Sequence, residues 1–246
     1  MTHILYLLKF GFPYRNHIIG KGYVDMASVR ITPAVRAAAA IAVCLGTAAL
    51  FGCGPSHKVY AQRINSTSVA ERRAVAKDLR GAKRDAKLVP VILQACQDQD
   101  ADVRMYAYFA IGKADPREEG VVDAVLRGMA DTVVDVRRAV AASLGELSPF
   151  PNNLIPPMVK MLVDPDERTR TMIINAFTDL EGAGVGSLLR HLDSKDTKLR
   201  LAIVNVLGMI GPPAKNTLTR LRRMSKEDDD LRVREAAERA VNHIER

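Results

Sequence analysis

Six arginines, Arg72, Arg104, Arg137, Arg170, Arg200 and Arg234, recur at intervals of 32, 33, 33, 30 and 34 residues. A near-constant period of this length marks a chain built from copies of one supersecondary unit. Apolar residues fall at −1, +3, +6 and +7 from each arginine. They are Val103, Ala107, Ala110 and Ile111 in one copy, and Val136, Val140 and Leu144, with Ser143 at +6, in the next. Ile173, Ala176 and Phe177 follow Arg170; Leu199, Ile203, Val206 and Leu207 surround Arg200; Val233, Ala237, Ala240 and Val241 surround Arg234. Arg72, with Val75 and Leu79, begins a degenerate first copy. These positions share one face of a 3.6-residue helix.

A second amphipathic segment lies between successive copies: Leu88–Cys96, Val121–Met129, Leu154–Val163, Val185–Leu192 and Ala214–Met224. Pro90, Pro156, Pro157, Pro212 and Pro213 stand near several of their starts, where a missing N–H costs least. Gly112, Gly145, Gly208 and Gly211 stand near the ends of the arginine-bearing helices and are expected to cap them. Each unit is thus a helical hairpin whose apolar stripe is buried only by stacking on its neighbours. The expected fold is all-α, an α–α superhelix over residues 67–246, with about five hairpins behind a capping helix near Ser68–Arg80. Trp is absent and aromatics are 5% of the chain, so the core rests on Ala, Val, Leu, Ile and Met, a palette suited to helices.

The pattern Asp-Val-Arg-x-x-Ala-x-x-Ala-(Leu/Ile)-Gly resembles the HEAT-repeat family, especially the short bacterial, phycobilisome-lyase-like HEAT repeats. The resemblance covers residues from about 67 to 246. It implies that each arginine reaches an acidic side chain in the preceding turn, of its own or an adjacent repeat. Asp102 and Asp135 match that acid, two residues before Arg104 and Arg137. Arg168 and Lys198 stand there in later copies, with Asp166 and Asp196 nearby. Arg104, Arg137, Arg170, Arg200 and Arg234, with Asp102 and Asp135, are therefore expected to form a structural ladder.

The first fifty residues follow a different pattern. Ala37 to Phe51 carries no charge and follows Arg30 and Arg36. It is short for a membrane-spanning helix and matches a secretory signal over residues 26–52. Its end, Leu50-Phe51-Gly52-Cys53, resembles the lipobox of bacterial lipoproteins, which implies a lipid on Cys53; Phe51 departs from the usual small or β-branched residue. Met26 reads as a normal start, leaving 1–25 as an upstream extension. A single uncleaved anchor is the alternative. Either way the chain is expected at the bacterial cell envelope, tethered to a membrane on its periplasmic or outer face. Residues 53–66, polar and without apolar pattern, are expected to be a flexible tether.

Formal charge is +8, but five basic residues and one acid lie in 1–52, leaving 31 bases against 27 acids from Cys53 onward. That excess alternates with acids and describes a solvated surface, so no nucleic-acid partner is expected. Of three cysteines, Cys44 lies in the signal, Cys53 is the lipid site, and Cys96 stands alone as a small core residue. His57, His191 and His243 are far apart in sequence. No nucleophile elbow, metalloprotease helix, phosphate loop or dinucleotide fingerprint is present. Asp98-Gln99-Asp100-Ala101-Asp102 lacks the glycine and terminal Glu of a calcium loop. No catalytic residue, metal or cofactor is expected.

The expectation is therefore a non-catalytic, monomeric scaffold that binds a protein or peptide on a concave face lined by the arginine-bearing helices. Positions +4 and +5 should point outward there. They place Tyr108 and Phe109 beside Tyr106 in an aromatic patch, rimmed by Arg138, Asn175 and Asn205. A bilin lyase-like role is the alternative that the family resemblance implies, opposed by the export signal. Nucleic-acid binding is a lesser one.

Overall fold

The computed structural model describes residues 56–246, apart from positions 148 and 181. The expected signal segment and Cys53 lie outside the described residues. Within 56–246 the chain forms twelve α-helices that pair into six hairpins: α1 (His57–Arg63) with α2 (Val69–Gly81), α3 (Val89–Ala95) with α4 (Ala101–Ile111), and α5 (Val121–Met129) with α6 (Val134–Leu144). The remaining three are α7 (Ile155–Met161) with α8 (Glu167–Asp179), α9 (Val185–Arg190) with α10 (Thr197–Ile210), and α11 (Leu218–Glu227) with α12 (Leu231–Ile244). The even-numbered helices, which carry the arginines, stack on one another in order and form one layer, here called the B layer. The odd-numbered helices pack behind them.

The first hairpin, one more than the sequence reading expects, corrects that reading. Residues 57–63, expected within the flexible tether, form α1, and Tyr60 and Ile64 are only 6% and 3% exposed. A polar segment with two apolar residues four apart buries both as one helical turn, so α2 has a partner helix and is not a lone cap.

Local signals set the helix ends. Ser68, Asp100, Asp166, Asp196 and Asp230 cap α2, α4, α8, α10 and α12, each accepting a backbone N–H of the first turn. Pro90 lies in the first turn of α3, Pro156 and Pro157 in that of α7, and Pro212 and Pro213 open a 3-10 turn ahead of α11. The glycines divide into two roles. Gly211 has φ +70 and ends α10, as expected of a cap. Gly112 also stands at a C-cap, that of α4, in right-handed conformation, and it and Gly208, which lies within α10, mark close approach between stacked B helices. A Cβ on Gly112 would stand 2.9 Å from the Ser143 carbonyl oxygen, and one on Gly208 3.1 Å from Ala240 Cα.

The arginine-relative stripe is the core. Val103, Ala107, Ile111, Val136, Val140, Ile173, Phe177, Ile203, Val206, Leu207, Val233 and Ala237 are all fully buried. Position +4 is buried in four of the six copies, Ala76, Tyr108, Ala141 and Val204 being at most 2% exposed, whereas Ile174 is half-buried and Glu238 exposed. On a helical wheel +4 lies next to +7, and the neighbouring hairpins cover both. The outward positions are +1 and +5. The stacking is weakest between α8 and α10. There the arginine interval is 30 residues, and the connection into α9, residues 180–184, is the shortest between hairpins.

Candidate functional site

The ladder arginines act with two edges. Nη1 of Arg104 donates to the carbonyls of Asp98 and Gln99 in its own turn, at 2.9 and 3.0 Å. Its other edge, Nε and Nη2, donates to both carboxylate oxygens of Asp131 in the next hairpin, at 2.8 and 3.1 Å. Arg72 holds Asp98, Arg137 holds Asp164 and Arg200 holds Asp228 in the same way. Each of these acids also accepts the backbone N–H two residues on, bracing the turn that begins the next B helix.

This geometry corrects the ladder expected from sequence. The acids are not Asp102 and Asp135 but Asp98, Asp131, Asp164 and Asp228, each supplied by the turn of the following hairpin, six residues before that hairpin's own arginine. Asp102 is exposed and pairs with Arg73; Asp135 pairs with Arg138 three residues on. The two-residue spacing puts an acid in the exposed first helical turn, whereas a place in the turn itself is half-buried between hairpins. Arg234, in the last hairpin, keeps only the backbone edge, to the Asp228 carbonyl.

A second, partial ladder runs beside the first. Arg73 donates to both oxygens of Asp100, at 2.8 and 2.6 Å, and Arg138 likewise grips Asp166. The Arg73 guanidinium holds the Asp100 carboxyl down at about 2, and Arg138 holds that of Asp166 far below the usual range. Arg200 lowers Asp228. Burial works against ionisation of Asp131, but hydrogen bonds from Arg104 and the Val133 N–H lower its pKa nonetheless.

The expected aromatic patch is largely dismantled. Tyr108 is a core residue: its ring fills the space over Gly128, its hydroxyl donates to the Ala124 carbonyl at 3.0 Å, and burial pushes its phenol pKa up. Phe109 is half-buried, with the Arg80 guanidinium 4.3 Å above its ring centre. Tyr106 is half-buried beside the core. Arg138 is taken up by Asp166 and Asp135 and does not serve as an unengaged rim cation. Cys96 is buried, and burial raises its thiol pKa. His191 sits against the Ser187 carbonyl at the end of α9.

Asn175 and Asn205 are exposed at +5 on α8 and α10. Asn205 lines a cleft of about 510 Å3 between these two helices, with Ile174, Leu201, Ala202 and Lys198, and with Arg170 and Asp164 at the turn. The cleft falls where the ladder is broken. The residue six before Arg200 is Ser194, and Arg170 makes only its backbone bonds, to the carbonyls of Asp164 and Pro165 at 2.7 and 3.0 Å. Sequence reasoning missed Arg170, Ile174, Lys198, Leu201 and Ala202 as a set. The signal was present in the shortened interval and in the series Asp98, Asp131, Asp164, Ser194, Asp228.

Six stacked helical hairpins with an arginine ladder define an α-solenoid repeat protein. The family model for HEAT repeats matches residues 58–145 and 155–242, and the chain belongs to the HEAT-repeat family. No curated protein matches it. Among solved structures it is similar to an engineered protein of the Northeast Structural Genomics Consortium, at 18% identity and TM-score 0.48, covering 77% of this chain and 96% of that one. It is also similar to a designed armadillo repeat protein, at 16% identity and TM-score 0.48, covering 77% and 100%. A further designed armadillo repeat protein, in complex with a (KR)4 peptide, is 14% identical with TM-score 0.47, covering 77% and 100%.

Proposed function

We propose that this chain is a non-catalytic interaction scaffold that holds an extended segment of a protein partner along its B layer, centred on the cleft between α8 and α10. The observation that carries this reading is the cleft itself. It is lined by apolar Ile174, Leu201 and Ala202 together with the exposed amide of Asn205. A few polar groups in an apolar cleft is the usual composition of a recognition groove, and an amide both donates to and accepts from a peptide backbone.

The same proposal places the scaffold at the bacterial envelope as a monomer, hung from a lipid on Cys53. The support is the uncharged run after Arg36 and its Leu50-Phe51-Gly52-Cys53 ending. Mass spectrometry of the amino terminus from membrane fractions tests it: a diacylglyceryl-modified Cys53 is expected, and an intact unmodified segment in the soluble fraction refutes it. For the groove, the double variant Leu201→Glu with Asn205→Ala should lose cross-linking to the envelope protein that the native chain captures, with circular dichroism unchanged. Retention of the same cross-linked product would sink the assignment.

A further inference from the structure

We infer that Arg170 is the receiving group for a carboxylate side chain carried on the partner segment, which completes in trans the one interior ladder rung missing among the described residues. The inference rests on the groove reading above and names the chemistry recognised within it.

Four arginines show what this guanidinium does when the rung is complete: Nε and Nη2 together grip both oxygens of a carboxylate from the following turn. Arg170 is held in the same posture, since its Nη1 donates to the carbonyls six and five residues before it, as in the other copies. Its second edge is thereby aimed at the turn before α10. Ser194 occupies the place of the acid there, and its hydroxyl is taken by the Asp196 N–H at 3.2 Å. No carboxylate among the described residues engages that edge. Asp193 of the same turn pairs with Arg220, and Asp196 caps α10.

The charge around the cleft points the same way. Its lining holds Arg170, Lys198 and Asp164. Asp164 is already neutralised by Arg137 at 2.7 Å, so among the described residues no carboxylate pairs with the Arg170 or Lys198 side chain. A planar, pre-oriented pair of N–H donors matches a carboxylate bidentately. Ile174, Leu201 and Ala202, beside it in the cleft, suit an apolar side chain next to the acid, which favours a peptide over a small anion.

The test uses the full-length chain and a fluorescein-labelled Leu-Glu-Leu-Glu-Leu-Glu peptide, with the matching Leu-Gln peptide and inorganic phosphate as further arms. Binding is read by anisotropy, and the arginine Nε–H and asparagine side-chain signals by NMR. The Glu peptide should bind and shift the Arg170 Nε–H signal. The Gln peptide, Arg170→Gln and Ser194→Asp should each weaken binding about tenfold or more, a change equivalent to about 1.4 kcal/mol. Ser194→Asp supplies the missing acid in cis and should keep the native fold, so a fall in binding there does not reflect unfolding. Equal binding by Arg170→Gln, or binding that leaves the Arg170 signal unmoved, overturns the inference. Phosphate alone producing the same shift and displacing the peptide would make this a generic anion site and also overturns it. Glu and Gln peptides binding alike, with Asn175 and Asn205 shifted, would leave the groove standing and remove only the carboxylate site. No binding by either peptide would remove both.

Discussion

Arg137 grips both carboxylate oxygens of Asp164, with Nε 2.7 Å from one and Nη2 3.1 Å from the other. Asp164 lies in the next hairpin, and its own backbone carbonyl accepts from Arg170 at 2.7 Å. One residue thus takes an arginine from before and an arginine from after, and neighbouring hairpins are locked in register through it. The Arg137 and Asp164 side chains are 15% and 7% exposed, so the pair is shielded from solvent and salt.

Arg137→Ala leaves Asp164 as an uncompensated charge between hairpins. Urea unfolding should show a loss of about 3 kcal/mol, the scale for breaking a buried pair from one side. Arg170→Ala strands no carboxylate and should cost about 1 kcal/mol, the scale of lost hydrogen bonds. Equal losses would mean that the rungs contribute little and the carbonyl contacts dominate.

Ser194→Asp should stabilise the chain by about 1 kcal/mol if the added acid reaches Arg170 as Asp164 reaches Arg137. Thermal melts of the variant and the native chain check this; an unchanged or lower Tm would show that the seam between α8 and α10 is too wide for a rung in cis.

The ladder also sets a pH dependence. Asp100, Asp166, Asp131, Asp228 and Asp230 have folded pKa values below the ordinary value, Asp100 and Asp230 at about 2. A depressed folded pKa means that the unfolded chain binds more protons at low pH. The stabilisation is therefore fully present above the unfolded value of about 4 and disappears as pH falls towards 2. Melting temperature should be flat from pH 6 to about pH 5 and then fall steadily. A Tm unchanged from pH 5 to pH 2.5 would contradict the assignment.

Gly112→Ala forces a methyl group to 2.9 Å from a backbone oxygen of the adjacent B helix. It should cost about 1–3 kcal/mol, as overpacking does. Gly145→Ala, at the equivalent place in the next hairpin, meets nothing closer than the Asp179 carboxylate at 4.0 Å. With φ −68 there, it should be neutral or gain about 0.5 kcal/mol. Chemical denaturation of the two variants side by side decides between a packing role and a capping role for this position.

Tyr108→Phe removes one buried hydrogen bond and should cost about 1 kcal/mol. Tyr108→Ala opens a core cavity and should cost about 3–5 kcal/mol. Neither change touches the groove, so the Phe variant should retain full partner binding, whereas a true surface anchor would lose it.

Several features were legible before the structure. The period of the arginines and the apolar residues locked to them specify a helical hairpin repeated in tandem, because a 3.6-residue stripe is a local property of the chain. Prolines in the first turns of α3 and α7 and just ahead of α11 marked helix starts for the same reason. The exposure of Asn175 and Asn205 was legible too, since +5 lies opposite the stripe on any helix. Tyr108 was not: +4 borders the stripe, and whether a border position is covered depends on how the adjacent hairpins pack.

The ladder shows where the division falls. From sequence alone, the arginines were recognisable as architecture, the chain as an all-α solenoid, and the period as shortened between Arg170 and Arg200. Only the tertiary structure decided which acid each arginine meets, because the partner comes from the next hairpin, 26 to 28 residues away, and that distance closes only when the hairpins stack. The same stacking turned Ser194 from an ordinary turn residue into a missing rung. Spacing along a chain is set by covalent geometry, whereas the meeting of two side chains across a stack is set by packing.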